Sequence, residues 1–275
     1  MPELPEVQTI VNDLQILTGD TITGFWTNFT KAIKSDDFEE KIKGQKIAGV
    51  KRLGKNIVIE LANDTFIVAH LKMTGKLLLS NQKLITSNQK IQTKHLHHVF
   101  SLQKNGALEF HDIRKFATLE LADKKRLSEI ESGKGINPLS KEFTLKKFTE
   151  LIEVRKNKSI KSFLMDQTAI SGIGNIYASE IPYDAKLNPI RKLQTLSETE
   201  RKSLFKSTLK ILVKAISKRG TSFSDYRDAK GKKGEFQNYL KVYKKAGKSC
   251  AKCATIIEKN VIEQRSTFHC PTCQQ

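Results

Sequence analysis

No run of about 18 or more apolar residues, the length that crosses a bilayer, occurs anywhere in this 275-residue chain. The start lacks the basic stretch of a secretory signal, because Pro2, Glu3 and Glu6 stand in its place. Cysteine is absent until position 250, which argues against a secreted scaffold stapled by disulfides. No internal repeat is present. Acidic side chains are scarce beside basic ones, 29 Asp+Glu against 48 Lys+Arg, leaving a net charge of +19. So large an excess favours a polyanionic partner, either nucleic acid or an anionic membrane. With no span and no signal, a cytoplasmic protein acting on nucleic acid is the better reading; a surplus of surface lysine without such a partner is the plainer alternative. A hydrophobic fraction of 38% is enough for a buried core, and the length suits one large domain or two ordinary ones.

What cysteine there is has a pattern. Cys250, Cys253, Cys270 and Cys273 follow C-x2-C-x16-C-x2-C. Two close pairs of thiolates, each on a turn, can meet at one tetrahedral Zn2+, and a full set of four leaves no position for an activated water. The expected metal is therefore one structural zinc; an iron–sulfur centre or two disulfides fit the spacing less well. Ile256-Ile257 and Thr267-Phe268 read as strands of a ribbon, with Gln264-Arg265 near its turn. Arg265 there suits a phosphate, or is simply a solvated turn residue.

Along the chain, Val7, Ile10, Val11, Leu14 and Leu17 recur at helical spacing and predict a helix over residues 6–17. From about 22 to 121 the pattern is short strands and turns. Asn63-Asp64 and Asn105-Gly106, each between apolar runs, signal hairpins, and several such strands suggest an antiparallel sandwich or barrel. Residues 83–94 are polar and read as a loop. Ser132-Gly133-Lys134-Gly135-Ile136-Asn137-Pro138 marks a domain boundary, beyond which the period becomes helical. Stripes of apolar residues predict helices near 145–152 and 160–165, and Ser197 with Glu200 gives a capping-box start to a longer one through Ile216. Residues 221–235 are polar and glycine-bearing and read as an exposed, mobile loop. The division expected is thus 1–132, 133–247 and 248–275.

Chemistry is suggested first by the opening Met1-Pro2-Glu3-Leu4-Pro5-Glu6. Removal of Met1 would leave Pro2 as a secondary amine at the terminus. An α-amino group has a pKa of about 7.7–8.0, against about 10.4 for lysine, so a useful fraction is neutral near pH 7. Such an amine can attack a sugar C1′ and form an iminium ion, an electron sink of the kind a catalytic lysine makes. Glu3 and Glu6 stand beside it as proton donors or acceptors. A frayed, solvated terminus is the ordinary alternative.

Other stretches carry two readings each. Ser171-Gly172-Ile173-Gly174-Asn175 before a helix can offer backbone amides to an anion, or can serve helix packing alone. Asp112-Ile113-Arg114-Lys115-Phe116 mixes cations with an aromatic, as in proteins that fill the gap left by an extruded base; taken alone, these five residues read better as a strand with Phe116 in the core. Met73 shares that ambiguity. His95, His97 and His98 read as surface or phosphate-facing groups on a polar strand rather than as metal ligands.

Taken together, these residues resemble the bacterial formamidopyrimidine-DNA glycosylase (8-oxoguanine repair, MutM) family over nearly the whole chain. The resemblance rests on Met1 through Val7, His70-Leu71-Lys72-Met73-Thr74-Gly75, Asp112 through Phe116, Gly172 through Glu180, and the cysteine tail with Gln264-Arg265-Ser266-Thr267-Phe268. Leu4 favours this branch over the sister endonuclease VIII branch. The implied fold is α+β: an N-terminal β-sandwich with flanking helices, a C-terminal helix–two-turn–helix domain and a zinc ribbon, with DNA across the cleft between the halves.

The resemblance also implies roles. Pro2 would be the nucleophile at C1′, Glu3 would protonate the deoxyribose ring oxygen, and Glu6 would support the proton transfers. Lys55 matches a lysine that grips the phosphate beside the lesion. His70, Asn175 and Arg265 match further phosphate contacts, with His98 placed among the DNA-facing residues. Met73, Arg114 and Phe116 match side chains that occupy the stack after the lesion leaves, Arg114 reading the orphaned cytosine. Residues 221–235 match the segment that closes over the flipped base. The expected activity is excision of oxidised purines from duplex DNA followed by β,δ-elimination at the abasic site, by a bacterial, cytoplasmic, monomeric enzyme. One departure stands out: the family's Pro-Arg-Arg-Phe-Gly is here Ile113-Arg114-Lys115-Phe116-Ala117, which puts the rigidity of that loop in doubt. The competing functions are a DNA-binding module without turnover, an oxidised-pyrimidine glycosylase and a zinc-ribbon RNA-binding protein.

Overall fold

The structure, a computed structural model, describes residues 1–81 and 94–275. Of the polar stretch 83–94, only Lys94 falls among them. The chain divides into two compact units, Met1–Ser132 with Lys218–Glu235, and Gly133–Ser217 with Phe236–Gln275.

The first unit begins with α1 (Leu4–Leu14), continued by a short 3-10 turn at Gln15–Leu17. Helix starts earlier than the apolar stripe predicts, because Pro5 suits a first helical turn and Glu3 caps it. Eight strands follow: β1 (Ile22–Thr27), β2 (Ile47–Leu53), β3 (Asn56–Leu61), β4 (Phe66–His70), β5 (Gly75–Ser80), β6 (Leu96–Leu102), β7 (Ala107–Asp112) and β8 (Thr118–Ala122). A short helix, α2 (Phe38–Ile42), lies between β1 and β2, and α3 (Lys124–Ser132) ends the run. They form two four-stranded sheets, β1-β6-β7-β5 and β2-β3-β4-β8, with every pairing antiparallel. Both hairpin signals hold, and Asp64 (φ 61°) and Gly106 (φ 69°) take the left-handed conformation at the tips. At Gly106 a Cβ would lie 2.2 Å from the Ser80 carbonyl, so only glycine fits.

One core joins the sheets. Phe25, Leu77, Phe100 and Phe110 from the first meet Ile57, Ile59, Ile67 and Leu119 from the second, and Val7, Ile10, Val11 and Leu14 of α1 pack into the same cluster. The segment Lys218–Glu235, of which residues 221–235 read as an exposed mobile loop, belongs here too. Tyr226 and Ala229 lie in this core and Asp228 is fully buried. Its polar composition misled because its polar groups are satisfied internally: Asp228 accepts N–H groups of Lys230 and Lys232 at 3.0 and 2.8 Å and pairs with Arg219.

The second unit carries α4 (Leu145–Val154), α5 (Ile160–Met165), α6 (Tyr177–Ala185) and α7 (Glu198–Ser217). Thr144 and Ser159 cap α4 and α5. Ser197 and Glu200 exchange the expected capping bonds at 2.8 and 3.3 Å. Phe143, Phe148, Phe163 and Phe205 form its aromatic centre. The tail is a ribbon of β9 (Glu258–Ile262) and β10 (Arg265–His269), whose first strand starts just after the expected Ile256-Ile257. Its two-residue turn has Glu263 at φ 45° and Gln264 at φ 61°. No helix among the described residues is long and apolar enough to cross a membrane.

Candidate active site and nucleic-acid interface

The first unit gathers the opening residues at the start of α1. Pro2 is buried, and the Glu3 and Glu6 carboxylates are 4% and 1% exposed. They form a reciprocal capping box, in which Glu6 Oε2 accepts the Glu3 N–H at 2.8 Å. A rigid helix end thus fixes both acids beside the residue that would carry the amine. Glu6 reaches further: its Oε1 accepts the Thr221 N–H at 2.7 Å, and Tyr226 donates its hydroxyl to the Glu6 carbonyl at 3.3 Å. Burial, then the Glu6 charge, pushes the Tyr226 phenol well above its usual range, so it stays a donor. Gly220 sits at φ 76°, and a Cβ there would lie 2.7 Å from Glu6 Oε1.

Lys55 lies half-buried in the turn between β2 and β3. That turn is tied to α1 by Arg52, which donates from Nε to Gln8 Oε1 at 2.9 Å and from Nη1 to the Gly54 carbonyl at 2.8 Å. Burial pulls the Arg52 guanidinium down to about 10. His70 ends β4 and accepts the Lys72 N–H on Nδ1 at 2.9 Å.

Met73, Arg114 and Phe116 stand together on two adjacent loops. Met73 and Phe116 are 47% and 54% exposed, which removes the alternative of a core Phe116. Arg114 lies 4.7 Å over the Phe116 ring and donates to Met73 Sδ at 2.9 Å. An exposed cation clasped by two apolar side chains is suited to enter a base stack.

His98 is not at this surface. It is 2% exposed, stacked on Phe25 at 6.0 Å and bonded through Nδ1 to Thr27 Oγ1 at 2.8 Å. Burial, with the His97 charge second, lowers its pKa to about 4. The expectation that it faces DNA is therefore corrected: β6 lies between β1 and β7, and its polar histidines turn inward to side-chain partners. His97 is buried as well, bonded to Asn28 and to the Asp112 carbonyl.

In the second unit, Asn175 sits half-buried on the glycine turn before α6. Gln167 braces that turn, donating to the Ile173 carbonyl at 2.7 Å and accepting the Gly172 N–H at 2.9 Å. Asn175 Oδ1 is buried and has no protein partner. Arg265 is exposed where β10 leaves the ribbon turn. The buried Lys161 joins the two elements by donating to Ser179 Oγ of α6 at 3.3 Å and to the Ser266 carbonyl of β10 at 2.7 Å. Glu180, on the first turn of α6 and 2% exposed, accepts the N–H groups of Lys241, Val242 and Tyr243 at 2.8–2.9 Å.

The Sγ atoms of Cys250, Cys253, Cys270 and Cys273 all lie within 4.8 Å of one another. Cys253 and Cys270 are 3.4 Å apart, and Cys250 and Cys273 4.0 Å. A tetrahedron with Zn–S bonds of about 2.3 Å has sulfur–sulfur edges of about 3.8 Å, so the set fits zinc and is too open for disulfides. The Tyr183 hydroxyl lies 3.3 Å from Cys250 Sγ, an outer partner for that thiolate. The four thiolates form a site for one structural zinc.

Sequence reasoning passed over Arg52, Arg219 and Tyr226 in the first unit and Lys161 in the second. Arg219 pairs at 2.5 Å with both Asp13 of α1 and Asp228. No local pattern marks such residues, since for each of them one partner, Gln8, Asp13, Glu6 or Ser266, lies far away in sequence.

Acids at a helix start beside a buried Pro2, an exposed cation–aromatic cluster and a zinc ribbon define a nucleic-acid enzyme. Three family models cover the chain: the formamidopyrimidine-DNA glycosylase N-terminal domain over residues 1–119, the formamidopyrimidine-DNA glycosylase H2TH domain over 135–226, and a zinc finger found in FPG and IleRS over 247–275. A formamidopyrimidine-DNA glycosylase of Listeria monocytogenes is 38% identical over 281 residues, and one of Carboxydothermus hydrogenoformans 40% over 281; both matches cover all of both chains. Among solved structures, the Lactococcus lactis protein in complex with an abasic-site DNA gives a TM-score of 0.87 at 32% identity, covering 99% of each chain. The Thermus thermophilus protein gives 0.85 at 32%, covering 99% of this chain and 98% of that one. The chain belongs to the formamidopyrimidine-DNA glycosylase family.

Proposed function

We propose that this chain excises oxidised purines, 8-oxoguanine and formamidopyrimidines among them, from duplex DNA and cleaves the resulting abasic site through an imine on Pro2. It is a base-excision-repair glycosylase, and lyase activity is typical of its family. The observation that carries the residue-level reading is the buried cluster of Pro2, Glu3 and Glu6 at the start of α1, with Glu6 tied to Thr221.

With Met1 removed, the Pro2 amine attacks C1′. The N–C1′ bond forms, the glycosidic bond breaks and the base departs with a proton. Glu3 donates a proton to the ring oxygen, the sugar opens and an iminium joins protein to DNA. That cation acidifies the C2′ proton; its removal expels the 3′ phosphate, and a second elimination expels the 5′ phosphate. General acid–base assistance of this kind contributes about 10²–10⁴-fold. Lys55, His70, Asn175 and Arg265 grip backbone phosphates, which gives affinity without sequence preference. Met73, Arg114 and Phe116 fill the vacated stack, and a damaged base costs less to extrude than a sound one. The zinc shapes the ribbon and takes no part in the chemistry. The net charge of +19 supports a polyanionic partner. This activity belongs to a monomer in the bacterial cytoplasm, held to the nucleoid by its DNA.

Borohydride trapping on a duplex with one 8-oxoguanine opposite cytosine tests the scheme. The expected product is a lesion-dependent crosslink that peptide mapping assigns to Pro2, with intact mass showing Met1 gone. Zinc-loaded, correctly processed protein that gives no crosslink overturns the imine mechanism.

A further inference from the structure

The two loops that carry Met73, Arg114 and Phe116 are brought side by side by strand register, because Gly75 at the start of β5 pairs with Asp112 at the end of β7. Between them lies one buried carboxylate. Asp112 is 4% exposed. Its Oδ2 accepts the N–H groups of Phe116 at 2.7 Å and Ala117 at 2.8 Å. Its Oδ1 accepts the Arg114 N–H at 3.2 Å and a short bond from the Thr74 hydroxyl. Thr74 is 7% exposed, and its Oγ1 accepts the same Arg114 N–H at 3.1 Å. The Thr74 hydroxyl thus bonds simultaneously to the carboxylate that fixes one loop and to the backbone of Arg114, while Met73 is its neighbour in the chain.

The backbone around this knot needs such a tie. Lys115 sits at φ 58° and Lys72 at φ 48°, left-handed conformations that L residues leave when unconstrained. Gly75 closes its own turn tightly, with a Cβ there 2.5 Å from the Leu71 carbonyl. The proline and glycine that would stiffen the second loop are Ile113 and Ala117 in this chain. Four donated hydrogen bonds on one buried carboxylate hold this loop in its turn.

We infer that Asp112 and Thr74 are positioning residues that lock Met73, Arg114 and Phe116 into a single block, so that base extrusion and reading of the opposite base act together. This rests on the stack-filling role proposed above for those three side chains. Neither Asp112 nor Thr74 touches DNA in this account. Their effect is confined to substrates whose processing needs the block set: a base-containing lesion in a duplex, and far less an abasic site, where no base has to be displaced.

The test compares the unaltered protein with Thr74→Val, Thr74→Ser, Asp112→Asn and Arg114→Ala. Single-turnover excision of 8-oxoguanine opposite cytosine and opposite adenine is measured beside cleavage of a preformed abasic site in the same duplex, with thermal melting to show that each variant is folded. Loss of positioning at a reacting site costs about 10- to 100-fold. Thr74→Val and Asp112→Asn are expected to lose that much on 8-oxoguanine opposite cytosine, with the cytosine-to-adenine ratio falling toward one. Abasic cleavage stays within about twofold, and Thr74→Ser follows the unaltered protein. Equal losses on lesion and abasic site, or failure of serine to rescue, overturn the inference in favour of general destabilisation. An unchanged Thr74→Val beside an Arg114→Ala that loses its ratio overturns it while sparing the stack-filling role. An Arg114→Ala with an unchanged ratio removes that role and the inference with it.

Discussion

Glu6 and Glu180 invite comparison. Each lies on the first turn of a helix, is almost fully buried and accepts backbone N–H groups from a segment far along the chain. Glu6 divides its oxygens, one for Glu3 in its own capping box and one for Thr221. Glu180 commits both to one tripeptide, Lys241 to Tyr243. Burial raises the pKa of the Glu180 carboxyl, and the three N–H donors oppose that rise. The difference separates a strut from the group proposed above to assist proton transfer. A carboxylate with three backbone partners cannot be spared for chemistry, whereas one that holds the next acid with one oxygen and a distant segment with the other can report to the chemistry whether that segment is in place.

Replacing Glu180 by alanine should have the largest effect. It orphans three buried donors at about 1–3 kcal/mol each, partly met by water, and should cost about 3–5 kcal/mol of stability. An unfolding free energy, from urea titration, that falls by less than about 1 kcal/mol would remove the contrast. Acid bears on the first unit through a buried histidine. His98 lies only in the first unit, with its pKa lowered from 6.5 to about 4. The unfolded chain takes up that proton as pH falls through 6.5 and the folded chain only near 4, so stability is full above 6.5 and declines between these values. The loss amounts to about 3 kcal/mol by the lower limit. Urea midpoints measured across this range should flatten in a His98→Gln protein, and an unchanged slope would place the titration elsewhere. Glu6→Gln keeps the shape but leaves one of its two N–H partners without a good acceptor. It should cost about 1–2 kcal/mol of stability, yet slow excision by about 10- to 100-fold. Equal proportional effects on folding and activity would make Glu6 another strut. The smallest effect belongs to Arg265→Ala, which should weaken binding evenly across sequences and lower the salt slope by about one; sequence-dependent weakening would contradict a phosphate contact.

Much of this was legible in the chain itself. The cysteine spacing named its own geometry, and Asn105-Gly106 named its turn, because both signals are local and set by covalent reach. The acids at the start of α1 were legible for the same reason. What escaped depends on distant pairing. His98 read as surface because a polar residue on a strand usually is, and only the place of β6 between β1 and β7 turns it inward. Residues 221–235 read as a free loop because the ion pairs that tie Asp228 to Arg219 and Arg219 to the remote Asp13 leave no trace in the composition of the segment. Asp112 stood in plain view at a strand end, where aspartate often gathers N–H groups two residues on, but its bond to Thr74 depends on the pairing of β5 with β7.

Lys161 has a consequence for measurement of distance. Ser179 donates to the Asn175 carbonyl, Lys161 donates to Ser179, and the same ammonium holds the carbonyl of Ser266, next to Arg265. The backbones beside the two groups proposed to grip phosphates are thereby linked through one ammonium. A gauge of that kind responds to the spacing of the backbone and is blind to its letters. It would accept any stretch of properly spaced duplex and slip on a strand that has lost its regular pitch.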